Sequence, residues 1–179
     1  MTSKAREILN TSIFVLAVLI LSFLLIKFVG QRTQVIGPSM QPTLYDGDNL
    51  ILDKITYRFR DPKRFEVVVF PFRNGENKNY IKRVIGLPGE TVKIDAEGNI
   101  YINGEKLEES FGLEVIKVPG TAAEGVTLGE GEFFVLGDNR NNSEDSRYEV
   151  VGPVKKSEIM GRAWLRIWPL KDFGFVKHK

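Results

Sequence analysis

The sequence predicts a mainly β fold: one N-terminal transmembrane helix followed by a compact β domain. Three observations lead there. The run Ile13–Val29 (IFVLAVLILSFLLIKFV) is apolar except for Ser22 and Lys27. After Gly30 the pattern changes to short apolar runs punctuated by Gly, Pro, Asn and Asp. No long helical period follows the apolar run. The 179 residues divide into an anchor-bearing segment, residues 1–30, and a domain over residues 31–179 large enough to bury a core.

The first element is the anchor. With Ile8 and Leu9 added, the apolar run approaches the ~20 residues a helix needs to cross a bilayer. Lys27 sits near its end, where it can snorkel to the interface. Lys4 and Arg6 resemble the basic start of a cleavable signal peptide, but the stretch KFVGQRTQVIG contains no small-x-small cleavage site, so the anchor is expected to stay attached. Basic residues lie on both sides of it, and their balance leans towards an N-terminus inside.

The β elements follow in order. Asn49–Asp53 (NLILD) reads as a strand after an Asp-Gly-Asp turn, and Glu66–Phe70 (EVVVF) as a nearly continuous apolar strand. Tyr80–Ile85 (YIKRVI) ends at the turn Gly86-Leu87-Pro88-Gly89. Thr91–Ile94 and Asn99–Ile102 flank Asp95-Ala96-Glu97-Gly98, a hairpin signal. Glu132–Leu136 and Arg162–Ile167 are late strands, and Lys155–Met160 is compatible with a short helix. At least one of Trp164 and Trp168 is expected in the core; exposed aromatic residues there, Phe173 included, would suit a bilayer surface.

Composition narrows the chemistry. The net charge of +2 comes from scattered basic residues, which argues against nucleic acid as a partner. The absence of cysteine excludes disulfides, thiol nucleophiles and cysteine zinc sites. The single histidine, His178, is next to last and reads as a solvated tail residue. A Ser-His-Asp triad is therefore improbable, and a two-histidine zinc motif is impossible. A hydrolase built from this chain needs Lys, Asp or Glu as its base.

Three segments carry candidate chemistry. Ser39 lies in Gly37-Pro38-Ser39-Met40-Gln41-Pro42, a proline-bracketed turn about ten residues past the anchor. From Gly30 the chain reaches at most ~30 Å to Ser39, which keeps that serine near the bilayer. Lys82 sits in an otherwise apolar strand and shares a face with Tyr80 and Val84, while Arg83 points the other way with Ile81 and Ile85. A lysine on an apolar face loses solvation, which lowers its pKa towards the range of a general base; the competing reading is an edge lysine that reaches water. Gly137–Arg147 (GDNRNNSEDSR) is a polar loop after an apolar strand. It fails as a calcium loop, with Arg140 third and Ser143 sixth from Asp138. Its two aspartates alternate with Arg140 and Arg147 and are expected to pair with them.

Taken together, GPSMQPTL at 37–44, YIKRVIGLPGE at 80–90 and GDNRNNSEDSR at 137–147, with EVVVF at 66–70, resemble the type I signal peptidases, membrane-bound serine proteases with a Ser-Lys dyad. The resemblance covers nearly the whole chain. It implies Ser39 as nucleophile and Lys82 as general base. It implies Ser143 as the serine that orients the lysine, Asp145 as a supporting carboxylate with Arg147 as its partner, and Arg83 as a further motif arginine. Asp138 and Asn139 look structural. The Ser39 N–H is the expected oxyanion donor. One branch of the family adds a serine hydroxyl where this chain has Gly37, so a second donor is unassigned. Val35, Gly37, Met40, Leu44, Tyr80 and Ile81 match positions around shallow pockets for small residues; core packing is the equal alternative for the apolar ones.

The resemblance further implies a single-pass protein of the cytoplasmic (plasma) membrane, with a β-sheet or partial-barrel catalytic domain on the extracytoplasmic side. Its substrates would be the signal peptides of exported preproteins. The lipid bilayer is a partner, with room for contact to the translocation machinery. Neither cofactor nor metal is expected. Two rivals differ in class: a membrane-tethered β domain that only binds peptides, and a self-cleaving Ser-Lys repressor. The second would carry a DNA-binding helical domain where this chain has an apolar run.

Overall fold

The computed structural model describes residues 3–28, 30–72 and 79–178. The first element is one long helix, α1 (Ser3–Phe28). Its window Arg6–Phe23 has a mean hydropathy of 1.7, and none of it is buried against the rest of the protein. The full helix is about 39 Å long, enough to cross the hydrocarbon of a bilayer. Val29, the end of the apolar run, and the Lys27 side chain lie outside the described residues.

The remainder is mainly β, as the turn-punctuated sequence implies. The strands are β1 (Gly30–Gln34), β2 (Asn49–Asp53), β3 (Val67–Pro71), β4 (Asn79–Gly86), β5 (Thr91–Ile94), β6 (Ile100–Ile102), β7 (Glu105–Lys106), β8 (Val126–Thr127), β9 (Glu132–Leu136), β10 (Val154–Lys155), β11 (Gly161–Trp168) and β12 (Gly174–Phe175). They form two antiparallel sheets. The larger runs β1-β2-β11-β3-β4-β9-β10, with β12 added on β11; the smaller runs β7-β6-β5-β8. One turn of helix, α2 (Thr56–Phe59), and short 3-10 turns, one at Lys156–Glu158, fill the connections.

β3 sits centrally, between β11 and β4. Val67 and Val69 pack into one core cluster, while Val68 and Phe70 pack into another. That two-sided burial explains an uninterrupted apolar run in an antiparallel strand. β4 pairs with β3 in the register Val68↔Lys82 and Val67↔Arg83, and with β9 through Arg83↔Leu136. A lysine and an arginine thus occupy adjacent positions in the middle of the sheet. Both are buried, Lys82 at 3 % exposure and Arg83 at 0 %.

Two expectations fail here. The tail is not solvated: His178 is half-buried, its Nδ1 accepts the Val67 N–H at 3.2 Å, and the Lys177 carbonyl accepts from Arg83 at 3.0 Å. These ties are tertiary and leave no local trace in the sequence. Neither tryptophan is core. Trp164 is 40 % and Trp168 54 % exposed, beside exposed Leu170, Phe173 and Phe175.

Candidate active site

The Ser39 loop is built by its turn residues. Gly37 has φ +85°, a left-handed backbone that a side chain would strain, and its N–H donates to Asp46 Oδ1 at 2.7 Å. Gln41 N–H closes back on the Pro38 carbonyl at 3.1 Å, and Leu44 N–H on that of Met40 at 2.9 Å. Buried Val35, Met40 and Leu44 anchor the loop in the core cluster that also holds Ile81.

β4 brings the lysine to this loop. Lys82 Nζ lies 2.8 Å from Ser39 Oγ and 4.9 Å from the centre of the Tyr80 ring. Burial pushes the Lys82 pKa down to about 8, against the opposing pull of the Asp145 and Glu144 carboxylates. The competing reading, an edge lysine reaching water, is not what the structure shows.

Gly137–Arg147 packs against both residues. Asn139 clamps the Ser39 turn twice: its backbone N–H donates to the Ser39 carbonyl at 3.0 Å, and its side-chain amide to the Pro38 carbonyl at 3.2 Å. A Cβ added at Gly137 would stand 2.2 Å from Ser143 Oγ and 2.5 Å from the Ser39 carbonyl oxygen. Three pieces of backbone and side chain therefore converge where only a hydrogen fits. Ser143 is buried in this cluster, but among the described residues its Oγ has no hydrogen-bond partner, so the expected bond to Lys82 is not formed. Asp145 accepts from Arg147 Nε at 2.8 Å and Nη2 at 2.9 Å, and from the Gly137 N–H at 3.1 Å. Arg147 also donates to the Arg140 carbonyl at 2.5 Å, which ties off the loop.

The pairing expected inside the loop holds for Asp145 with Arg147 only. Asp138 pairs instead with Arg83, at 2.7 Å, and Arg140 with Glu109, also at 2.7 Å. Arg83 emerges on the opposite side of β4 from Lys82, as strand alternation requires. It meets Asp138 away from Ser39 and Lys82.

A cleft of about 200 Å³ opens over the pair. Val35, Gly37, Met40, Tyr80 and Ile81 line it, together with Ile36, Pro38, Asn79 and Glu144. Val35, Met40 and Ile81 are at once core and lining, so the two readings of these residues coincide. Leu44 is core alone and borders a different cavity, with Arg166 and Phe175. Among the described residues the Ser39 N–H donates to nothing and is available to an oxyanion, whereas the Gly37 N–H is taken and Pro38 has none. Sequence reasoning missed Gly137 and Glu144, and assigned Asn139 no contact. The signal for Glu144 and Asn139 was their place in the GDNRNNSEDSR block.

The geometry supplies a nucleophile, a buried amine able to take its proton, and a free donor beside it: the parts of acyl transfer. Among the described residues no cluster of His, Cys, Asp and Glu is suited to a metal ion. A family model described as "Signal peptidase, peptidase S26" matches residues 7–168. A "Probable signal peptidase I-2" of Synechocystis is 42 % identical over 154 residues, spanning 83 % of this chain and 68 % of that protein. A "Signal peptidase I" of Bacillus caldolyticus is 38 % identical over 83 % of this chain and 85 % of that one. Another, of Bacillus amyloliquefaciens, is 33 % identical over 98 % and 96 %. A crystal structure of a signal peptidase I from Enterococcus faecalis, 36 % identical, covers 57 % of this chain and 97 % of its own with a TM-score of 0.47.

Proposed function

The chain belongs to the signal peptidase family, peptidase S26, and we propose that it removes signal peptides from preproteins by acyl transfer through Ser39 and Lys82. The 2.8 Å contact between a turn-mounted serine and a buried lysine carries this reading. Neutral Lys82 accepts the Ser39 proton as Oγ attacks the scissile carbonyl. The Ser39 N–H donates to the resulting oxyanion, a contribution of about 3 kcal/mol by analogy with single donors elsewhere. Lys82 returns the proton to the departing amine, leaving a serine ester. A water, deprotonated by the same lysine, hydrolyses that ester and restores the hydroxyl.

Residues 1–30 form the anchor and residues 31–179 the catalytic domain. The protein is single-pass in the cytoplasmic membrane, with the domain outside. The exposed apolar window of α1 and the preceding Lys4 and Arg6 support that placement. Trp164, stacked obliquely on Phe175 at 5.6 Å, and nearby Trp168 and Phe173 rest on the bilayer interface. The substrate enters the cleft as an extended strand. Its small volume suits residues of alanine size at the first and third positions before the cut.

The test is cleavage of a purified preprotein by the full-length protein in detergent or lipid. Ser39→Ala and Lys82→Ala should each abolish cleavage while leaving the circular dichroism spectrum intact. Near-normal turnover by Lys82→Ala at neutral pH would overturn the dyad.

A further inference from the structure

Glu144 has a fixed place at the mouth of the cleft. The residues on either side of it, Ser143 and Asp145, are buried, and Asp145 is held by Arg147 and by the Gly137 N–H. Glu144 itself is exposed, and its carboxylate accepts a hydrogen bond from the Tyr80 hydroxyl. Tyr80 is in turn constrained. Its ring stacks on Phe72 at 4.7 Å and meets the edge of Phe70 at 6.0 Å. A carboxylate on an exposed residue is thus pinned, from both its backbone and its tip, beside Ser39 and Lys82.

The consequence is electrostatic. Apart from Lys82 and Glu144, every described residue lining the cleft is uncharged at neutral pH. The reacting form of Lys82 is neutral. Among the described lining residues the competent cleft therefore carries one negative charge, and it belongs to Glu144.

We propose that Glu144 sets a charge preference at the substrate positions that do not enter the small-residue pockets, the second before the cut and the first two after it: residues there are accepted when cationic or neutral and rejected when acidic. The proposal rests on the reading of Ser39 and Lys82 as the reacting pair. Glu144 takes no part in bond making. It acts through the field it places across a small cleft with apolar walls, where charge is poorly screened.

The experiment uses full-length protein in detergent and a peptide series with alanine at the first and third positions before the cut, differing only in carrying Lys, Ala or Glu at the second position before it or at the first or second after it. At one or more positions the Lys-to-Glu ratio of kcat/KM should be about tenfold at low ionic strength, and should shrink in high salt. Glu144→Gln should bring the ratio towards one, and Glu144→Lys should invert it. Each ratio is taken within one variant, so a partly unfolded preparation does not distort it. A wild-type ratio near one throughout, or a ratio that both variants leave unchanged, overturns the proposal. If the wild type does not cut the Ala peptide, or Ser39→Ala cuts it equally well, the reading of the reacting pair fails and takes the charge preference with it.

Discussion

Arg83 Nε and Nη2 donate to the two carboxylate oxygens of Asp138 at 2.8 and 2.7 Å, with both side chains wholly shielded from solvent. The contact joins β4, which carries Lys82, to the first residues of the loop that clamps Ser39. The other guanidinium donors are also used, by the Phe65 and Lys177 carbonyls and by Thr43 Oγ1. Thr43 in turn donates to Asp138 at 2.5 Å. A buried pair this fully bonded holds the two halves of the site in register.

Asp138→Ala should therefore destabilise the fold by about 3–5 kcal/mol, because it strands a buried guanidinium. Replacing both partners, Arg83→Met with Asp138→Leu, should cost less than the two single changes added together. Urea denaturation of the three variants measures the coupling.

The rate should follow the titration of Lys82. Its pKa is pushed down to about 8 by burial, and only the neutral amine takes a proton. On that basis kcat/KM should rise about tenfold per pH unit below the pKa and level off above it. A profile flat from about pH 6 to 9 would rule out a lysine base.

The same burial makes Lys82 a cost to the fold. Its folded pKa of about 8 lies below the ordinary lysine value of 10.5, so between those values the unfolded chain holds a proton that the folded one does not. Stability then rises with pH across that window, and the penalty is largest below it. Lys82→Met should stabilise the protein by about 1–3 kcal/mol at pH 7, with the gain fading towards pH 10.5. Thermal unfolding at several pH values is the measurement.

Gly137→Ala should cut kcat/KM by about a hundredfold or more, a loss of roughly 3 kcal/mol in transition-state stabilisation. The new methyl would stand 2.5 Å from the Ser39 carbonyl oxygen, which cannot rotate aside as a side chain can. Removing the other obstruction, both Ser143 Oγ and Cβ, with Ser143→Gly should not restore activity. Parallel kinetics and melting curves separate this local displacement from general unfolding.

His178 should make the fold acid-sensitive. Burial pushes its pKa down to about 4, below the ordinary histidine value of 6.5, and its Nδ1 lone pair accepts the Val67 N–H. Stability is complete above about pH 6.5 and should fall as pH drops towards 4, where the unfolded chain alone gains the proton. With allowance for partial solvation the loss is about 1–2 kcal/mol. His178→Gln should flatten stability across that window in denaturant titrations.

The strands that were legible are those with apolar runs or a hairpin turn between them: Asn49–Asp53, Val67–Pro71, Asn79–Gly86, Thr91–Ile94, Ile100–Ile102, Glu132–Leu136 and Gly161–Trp168. Gly30–Gln34, sequence GQRTQ, was not, because an edge strand pairs through its backbone and needs no apolar face. The two-residue strands are pairing events with no composition of their own. In the site, Ser39 and Lys82 stood out as chemistry-bearing residues in unusual settings. Gly137 did not, since its requirement is close approach by Ser143 and Ser39, and tertiary crowding has no local signature. The burial of His178 was hidden for the same reason.

The alternation of β4 gives the chain a reading frame of its own. Lys82 and Arg83 are both cations of similar length, side by side, and only the parity of the strand decides which one meets Ser39 and which meets Asp138. A deletion of one residue ahead of them would carry Arg83 to the serine and leave Val84 opposite Asp138, with almost no change in composition. The serine would then face a guanidinium, which cannot shed its proton, and the enzyme would fall silent although the chain had lost neither cation.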